Sequence, residues 1–168
     1  MVGSVGAVGC DAFGKRLRQC AEESGVKPLY QEEIAHPTGT CAVLLTGRDR
    51  SLVTHLGAAN FFNVSHIHKT EMQSAIECAQ YFYITGYFVT HSLETILEVG
   101  KHAAQHNKLF SMNLSAPFVP QFFGEQFGKC LPYCDIVFGN DEEILAARTL
   151  CGDVAVCVEQ GFVVWMAN

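Results

Sequence analysis

Small apolar and β-branched residues run from Val2 to Cys10 as VGSVGAVGC, a pattern that predicts a buried strand. Asp11 is placed to cap a helix in which Phe13, Leu17, Cys20 and Ala21 share one face, and Gly25 is placed to end it. The texture then changes. LYQEEIA, TGTCAVLLTG and SLVTHLGAAN read as strands with no helix between them, and GRDR is the tight connection joining the last two. Together they predict a β-rich excursion over residues 28–60.

From residue 61 the pattern alternates. KTEMQSAIECA is helical and YFYITGYF a strand. SLETILEVGKHAAQHN is an amphipathic helix with Leu93, Ile96, Leu97, Gly100 and Ala104 on one side. KLFSMNLS is a strand, PQFFGEQFGKCL a helix, CDIVFG a strand and DEEILAARTL a helix. Apolar strands alternating with helices imply a mostly parallel sheet covered by helices on both faces, so the fold class is α/β with a small β excursion suited to act as a lid. The expected division is 1–27 as the start of a large α/β domain, 28–60 as the lid, 61–150 as the large domain continued, and 151–168 as a divergent tail. That tail, DVAVCVEQGFVVWMAN, offers strand-like runs. The chain opens directly in a strand and stops before such a domain would close, so both ends read as truncated.

Composition narrows the classes. A formal charge of −6 and the absence of any Lys/Arg-rich run argue against a nucleic-acid partner. The start lacks the pattern of a secretory signal, and the most apolar stretch, YFYITGYFV, is too short to span a bilayer, so a cytoplasmic protein with no membrane association is expected. Eight cysteines contain no C-x-x-C pair and are expected to be reduced and mostly buried. His102 and His106 have the i, i+4 spacing that can hold a metal, but a solvent-facing pair is the plainer reading, which leaves a zinc module a distant alternative.

Ligands of open α/β sheets gather beyond the carboxyl ends of the strands. That rule nominates TGYF, NLSAPF and FGNDEE. In NLSAPF, Pro117 disfavours helix at Ala116, so the chain is expected to leave the strand extended and present Phe118 at the rim, as a core cap or as an aromatic wall for a planar ligand. In TGRDRS, Arg50 is either a solvated turn residue or a bidentate phosphate donor. Asn140 and Glu143 match a capping box, and the same oxygens could serve Mg²⁺ beside phosphates. Pattern alone does not choose.

Taken together, PTGTCAVLLTGRDRSLVTHLGAAN (37–60), YITGYF (83–88), NLSAPF (113–118) and DIVFGNDEE (135–143) resemble eukaryotic-type adenosine kinases of the ribokinase-like superfamily, in order and in spacing; VGAVGCDAFG fits the strand and helix preceding the lid. The resemblance covers residues 4–150 and implies a doubly wound α/β domain with a lid closing over the nucleoside. It implies phosphoryl transfer from ATP to the 5′-hydroxyl of adenosine with Mg²⁺, a purine salvage reaction, in a protein that is a monomer at full length and cytoplasmic, with the nucleus as a second compartment. By matching position, Cys41, Leu52, Thr54 and Leu56 are lid residues facing adenosine, and Tyr87 and Phe118 line the base and ribose pocket. Thr54 and Tyr87 stand where Ala and Phe are more usual. Arg50 meets the transferring phosphoryl group, and Asn140 and Glu143 organise Mg²⁺ and its waters, with Asn113 nearby.

Two elements of that family pattern do not occur here. The Gly-Gly segment with its asparagine is missing, and so is the D-x-x-G-A-G-D signature that supplies the anion hole and the aspartate base. The isolated polypeptide is therefore expected to be inactive. A sugar kinase of the same superfamily and a non-catalytic nucleoside- or partner-binding fragment are the competing classes.

Overall fold

The computed structural model describes residues 2–151, 156–159 and 162–166, with side-chain surroundings described as far as residue 148. It divides into two compact units, Met1–Met72 and Gln73–Asn168.

The first unit opens with β1 (Val2–Gly9), α1 (Ala12–Glu23) and β2 (Val26–Glu33). Asp11 accepts from the Gly14 amide at 2.8 Å, which caps α1, and Gly25 takes φ +73° to leave it. β2 runs parallel to β1 from Val2↔Val26 to Gly9↔Glu33. Residues 29–33 of the expected strand 29–35 thus pair with β1 after a crossover helix and do not join the β excursion, because the helix lets β2 return in β1's direction. The expected burial of the first strand also fails. β1 is buried only at Val8 and Gly9, and the α1 face carrying Phe13 and Leu17 is exposed, at 65 % and 46 %. Gly14, tight against Gly9, is the buried position of that helix.

An antiparallel hairpin follows, β3 (Thr40–Thr46) and β4 (Asp49–His55), joined by Gly47 and Arg48. Gly47 has φ +65°, the conformation that a two-residue hairpin loop asks of its first residue. The return strand ends at His55 rather than continuing to Asn60, because Gly57–Phe61 and then Val64–His68 form 3₁₀ turns. The small core of this unit is Val8, Leu29, Ala58, Phe62, Ile67 and Met72.

α2 (Thr70–Cys78) leads to the second unit, where β5 (Tyr81–Ile84), β6 (Leu109–Asn113) and β7 (Ile136–Gly139) lie parallel and adjacent. β9 (Phe162–Met166) and β8 (Val156–Glu159) extend the sheet antiparallel, in the order β5-β6-β7-β9-β8. The strands expected in the tail are these two; residues 152–155, 160–161 and 167–168 lie outside the described residues. α3 (Leu93–Gln105) connects β5 to β6. It ends with Asn107 at φ +53° and Lys108 N–H bonded to Ala103 O at 2.9 Å, a Schellman-type stop. Its buried stripe is Thr95, Ile96, Val99, Gly100 and Ala103, turned from the expected face so that Ala104 is exposed.

Three further elements differ from the pattern reading. β5 ends at Ile84, because Gly86–Thr90 winds into a 3₁₀ turn. The helix expected over 120–131 is two, α4 (Phe118–Phe122) and α5 (Gly124–Cys130), with the break at Phe123, just before Gly124. α6 (Asp141–Cys151) follows β7. Phe110, Phe127, Ile96, Met112, Leu114, Val119 and Cys130 are the largest fully buried side chains among the described residues. The cysteines are not mostly buried: Cys10, Cys41 and Cys78 are exposed, Cys20 is half-buried, and only Cys130 and Cys134 are enclosed among the described residues. Burial pushes those two thiols up to about 11 and about 12. Among the described residues no helix is long and apolar enough to cross a membrane.

His66 is a polar member of the first unit's core, 6 % exposed. Its Nε2 lies 3.0 Å from the Leu29 carbonyl, which fixes the proton there, and Nδ1 has no partner among the described residues. Burial lowers its pKa from 6.5, and Lys69 adds to the effect. The unfolded chain therefore binds the proton more readily than the folded one, so this group's contribution is complete above pH 6.5 and fades as pH falls below it. Urea unfolding midpoints are expected to drop between pH 7 and 5. His66→Gln, which keeps a donor but takes no charge, should flatten that slope, leaving the share from His102, whose pKa burial also lowers.

Candidate functional site at the strand exits and the hairpin

In the second unit the three parallel strands end side by side, and their exits are tied to one another. Asn113, the last residue of β6, accepts from the Gly86 amide at 2.9 Å and from the Ser115 hydroxyl at 2.7 Å, both on Oδ1. Ser115 in turn accepts from the Tyr87 amide at 3.2 Å. Leu114 N–H reaches back to the Phe138 carbonyl of β7 at 2.8 Å. The chain does not leave β6 extended. Ser115 adopts φ +68° and Ala116 N–H bonds Leu114 O at 2.8 Å, a sharp turn held by the Asn113 side chain. Gly86 is required by the closeness of this packing: a Cβ there would stand 2.3 Å from the Asn113 carbonyl oxygen.

That turn presents two aromatic rings. Tyr87 and Phe118 are 47 % and 42 % exposed, with centroids 6.0 Å apart and planes inclined by 34°. Neither is a core residue, so the rim reading of Phe118 is the one its surroundings favour. At the third exit, Asn140 and Glu143 form a reciprocal capping box. Glu143 N–H donates to Asn140 Oδ1 at 2.9 Å, while Asn140 N–H and Nδ2 donate to the two Glu143 carboxylate oxygens at 3.1 Å each. The carboxylate is thereby held in one orientation near Tyr83, whose hydroxyl pKa is raised by burial first and by Glu143 second.

Among the described residues, no group of three or more His, Cys, Asp and Glu side chains could cage a metal. One oriented carboxylate beside an amide oxygen does fit Mg²⁺, which keeps several waters and completes its shell with substrate phosphates. Asn113 contributes differently. Its oxygen already accepts two hydrogen bonds, and its amide nitrogen is a donor, suited to a phosphate oxygen and not to a cation.

The first unit presents its own set. Pairing of Cys41 with Thr54, Val43 with Leu52 and Leu45 with Arg50 places all six on one face of the hairpin. Cys41, Arg50, Leu52 and Thr54 are thus brought together, and the Thr54 hydroxyl donates to Cys41 Sγ at 3.3 Å. Leu56 lies just past β4, 40 % exposed. Arg50 is exposed on β4, one residue inside the strand rather than in the turn. Sequence reading missed the roles of Gly86 and Ser115. The signal for Gly86 was a glycine directly after an apolar strand; for Ser115 nothing in a single sequence marks a positive φ.

The fold and these motifs define a class. Residues 1–163 match the family described as pfkB family carbohydrate kinase, and the chain belongs to that family. Within it, the chain is similar to adenosine kinase 1 of Arabidopsis thaliana, 46% identical over 145 residues, which covers 86% of this chain and 41% of that protein. It is also similar to the crystal structure of Anopheles gambiae adenosine kinase in complex with P1,P4-di(adenosine-5) tetraphosphate, at TM-score 0.85 and 42% identity, covering 88% of this chain and 44% of the other. Schistosoma mansoni adenosine kinase with adenosine, in an occluded loop conformation, superposes at TM-score 0.84 and 36% identity over 89% of this chain and 43% of that one. The chain spans about two fifths of the length of such relatives (41%).

Removing the side chain at the centre of the strand-exit network should be costly. Asn113→Ala leaves the Gly86 amide and the Ser115 hydroxyl without their acceptor, an expected loss of about 1–3 kcal/mol by urea unfolding. Glu143→Ala removes half of the capping box and is expected to cost about 1 kcal/mol in the same assay.

Proposed function

We propose that this chain carries nucleoside- and phosphate-facing parts of an adenosine kinase-type phosphotransferase, which converts ATP and adenosine to ADP and AMP in purine salvage. The observation that carries the reading is the second unit's strand-exit floor. Its exposed aromatic pair, Tyr87 and Phe118, hangs from the turn network that also fixes Asn113, one strand away from an oriented Asn140–Glu143 pair. Planar base and charged phosphate are the two halves of a nucleoside-kinase reaction, and these are the surfaces that each half needs.

In this reading Tyr87 and Phe118 contact the base and ribose. The hairpin face bearing Cys41, Leu52 and Thr54, with Leu56 beyond it, meets the nucleoside from its own side. Arg50 donates its guanidinium fork to the transferring phosphoryl group, where charge must be stabilised as the bond to ADP loosens. Asn140 and Glu143 hold the waters of Mg²⁺, and Asn113 donates to a phosphate oxygen. The bound ion would neutralise phosphate charge. Thr54 and Tyr87 add hydroxyls where Ala and Phe are more usual. The protein acts in the cytoplasm, with the nucleus as a second compartment, and as a monomer at full length.

The D-x-x-G-A-G-D sequence, which would supply the base for the 5′-hydroxyl, is not among these 168 residues. The polypeptide of this sequence is therefore proposed to bind without turnover. Incubated with adenosine and MgATP it should form no AMP above background, while equilibrium dialysis detects bound adenosine. Phe118→Ala should weaken that binding by roughly tenfold, the scale of one lost aromatic contact. Robust AMP formation would overturn the proposed inactivity. Ribose competing as effectively as adenosine would instead favour a sugar kinase of the same family.

A further inference from the structure

Three segments of the first unit meet at one carboxylate. Asp11 Oδ1 accepts from the Gly14 amide at 2.8 Å and from the Thr38 hydroxyl at 2.7 Å, and Oδ2 accepts from the Thr38 amide at 2.8 Å. The Thr38 hydroxyl also accepts from the Gly9 amide at 2.9 Å. The end of β1, the start of α1 and the outgoing root of the hairpin are thus joined in one node. The returning root is fastened beside it: Ala58 N–H donates to the Pro37 carbonyl at 2.8 Å. The backbones there approach so closely that a Cβ on Gly39 would lie 2.6 Å from Leu56 O, and one on Gly57, at φ +50°, would lie 2.2 Å from Pro37 O.

Beyond this root the hairpin is unsupported. Every residue of β3 and β4 is exposed, so no packing of their side chains fixes where the ribbon points. A two-stranded ribbon is marginal by itself. Its direction is set by the bonds at its base.

We propose that Asp11 and Thr38 are positioning residues that fix the pivot from which the hairpin presents its Cys41–Arg50–Leu52–Thr54 face. This rests on reading the hairpin as the nucleoside-facing lid, but its test needs no nucleoside, so the two can fail separately. Asp11 does more than cap α1, because two of its three hydrogen bonds go to Thr38. The strength of the node agrees with a carboxyl pKa held down at about 2, chiefly by the Thr38 hydroxyl and then by the Gly14 and Thr38 amides.

The discriminating variants are Thr38→Val, which keeps shape but loses the hydroxyl, and Thr38→Ser, which keeps the hydroxyl. Asp11→Asn is the third: it can still cap α1, but it turns a donor toward the Thr38 amide or the Thr38 hydroxyl. Amide exchange and residual dipolar couplings are measured on the isotope-labelled 168-residue chain without ligand. In Thr38→Val the 40–55 ladder should lose protection by roughly tenfold, with altered couplings, while the β1–β2 ladder stays as in the parent. Asp11→Asn should follow Thr38→Val, and Thr38→Ser should match the parent. Parent-like hairpin couplings in Thr38→Val would overturn the proposal. So would equal loss in both ladders, which is ordinary destabilisation, or Thr38→Ser behaving as Thr38→Val.

Discussion

A parallel strand that stops leaves backbone amides and carbonyls which the next strand no longer pairs, and buried groups of that kind must find partners. In this protein the Asn113 side chain meets the need for the exits of β5 and β6 together, taking the Gly86 amide and the Ser115 hydroxyl on one oxygen. Much of the second unit's candidate site follows from it. Ser115 is held at positive φ, the Tyr87 amide bonds to Ser115, and α4 begins at Phe118 immediately after the turn. Under the proposed function, a surface that holds a base and phosphates in fixed geometry would gain from such stiffness, since positioning supplies much of phosphoryl-transfer catalysis.

The Asn140–Glu143 box shows the same economy. A helix start needs its amides capped, and the cap that does so also fixes a carboxylate outward from the end of β7. Cap and proposed cation site are thus compatible: one hydrogen bond to each carboxylate oxygen leaves further lone pairs for water or metal. The hairpin works by the opposite rule. It has no buried residue of its own and depends on the Asp11–Thr38 node and the glycine contacts at its base.

Legibility in the sequence divided along similar lines. The helix around Leu93–Gln105, the turn containing Gly47 and the Asn140 cap were readable because each is a local device with a fixed residue signature. The pairing of residues 26–33 with β1 was not, because it is a non-local choice that strand propensity does not encode. Nor was the exposure of Phe13 and Leu17, since periodicity reports an apolar face and not what covers it. The turn after β6 was misread as extended: Pro117 restricts Ala116, but the conformation was decided one residue earlier, at Ser115. The second unit's candidate residues were nominated by their motifs at strand exits. Their hydrogen-bond duties, such as Asn113 spending its oxygen on Gly86 and Ser115, required the fold.

The central claim is that these surfaces already recognise adenosine in the polypeptide as it stands. The direct measurement is a titration of the isotope-labelled chain with adenosine, followed residue by residue in amide nuclear magnetic resonance spectra. Saturable shifts are expected at 41–56, 86–88 and 113–118, with ribose producing much smaller ones. No saturable shift at these positions, or the same shifts from ribose at equal concentration, would contradict the account.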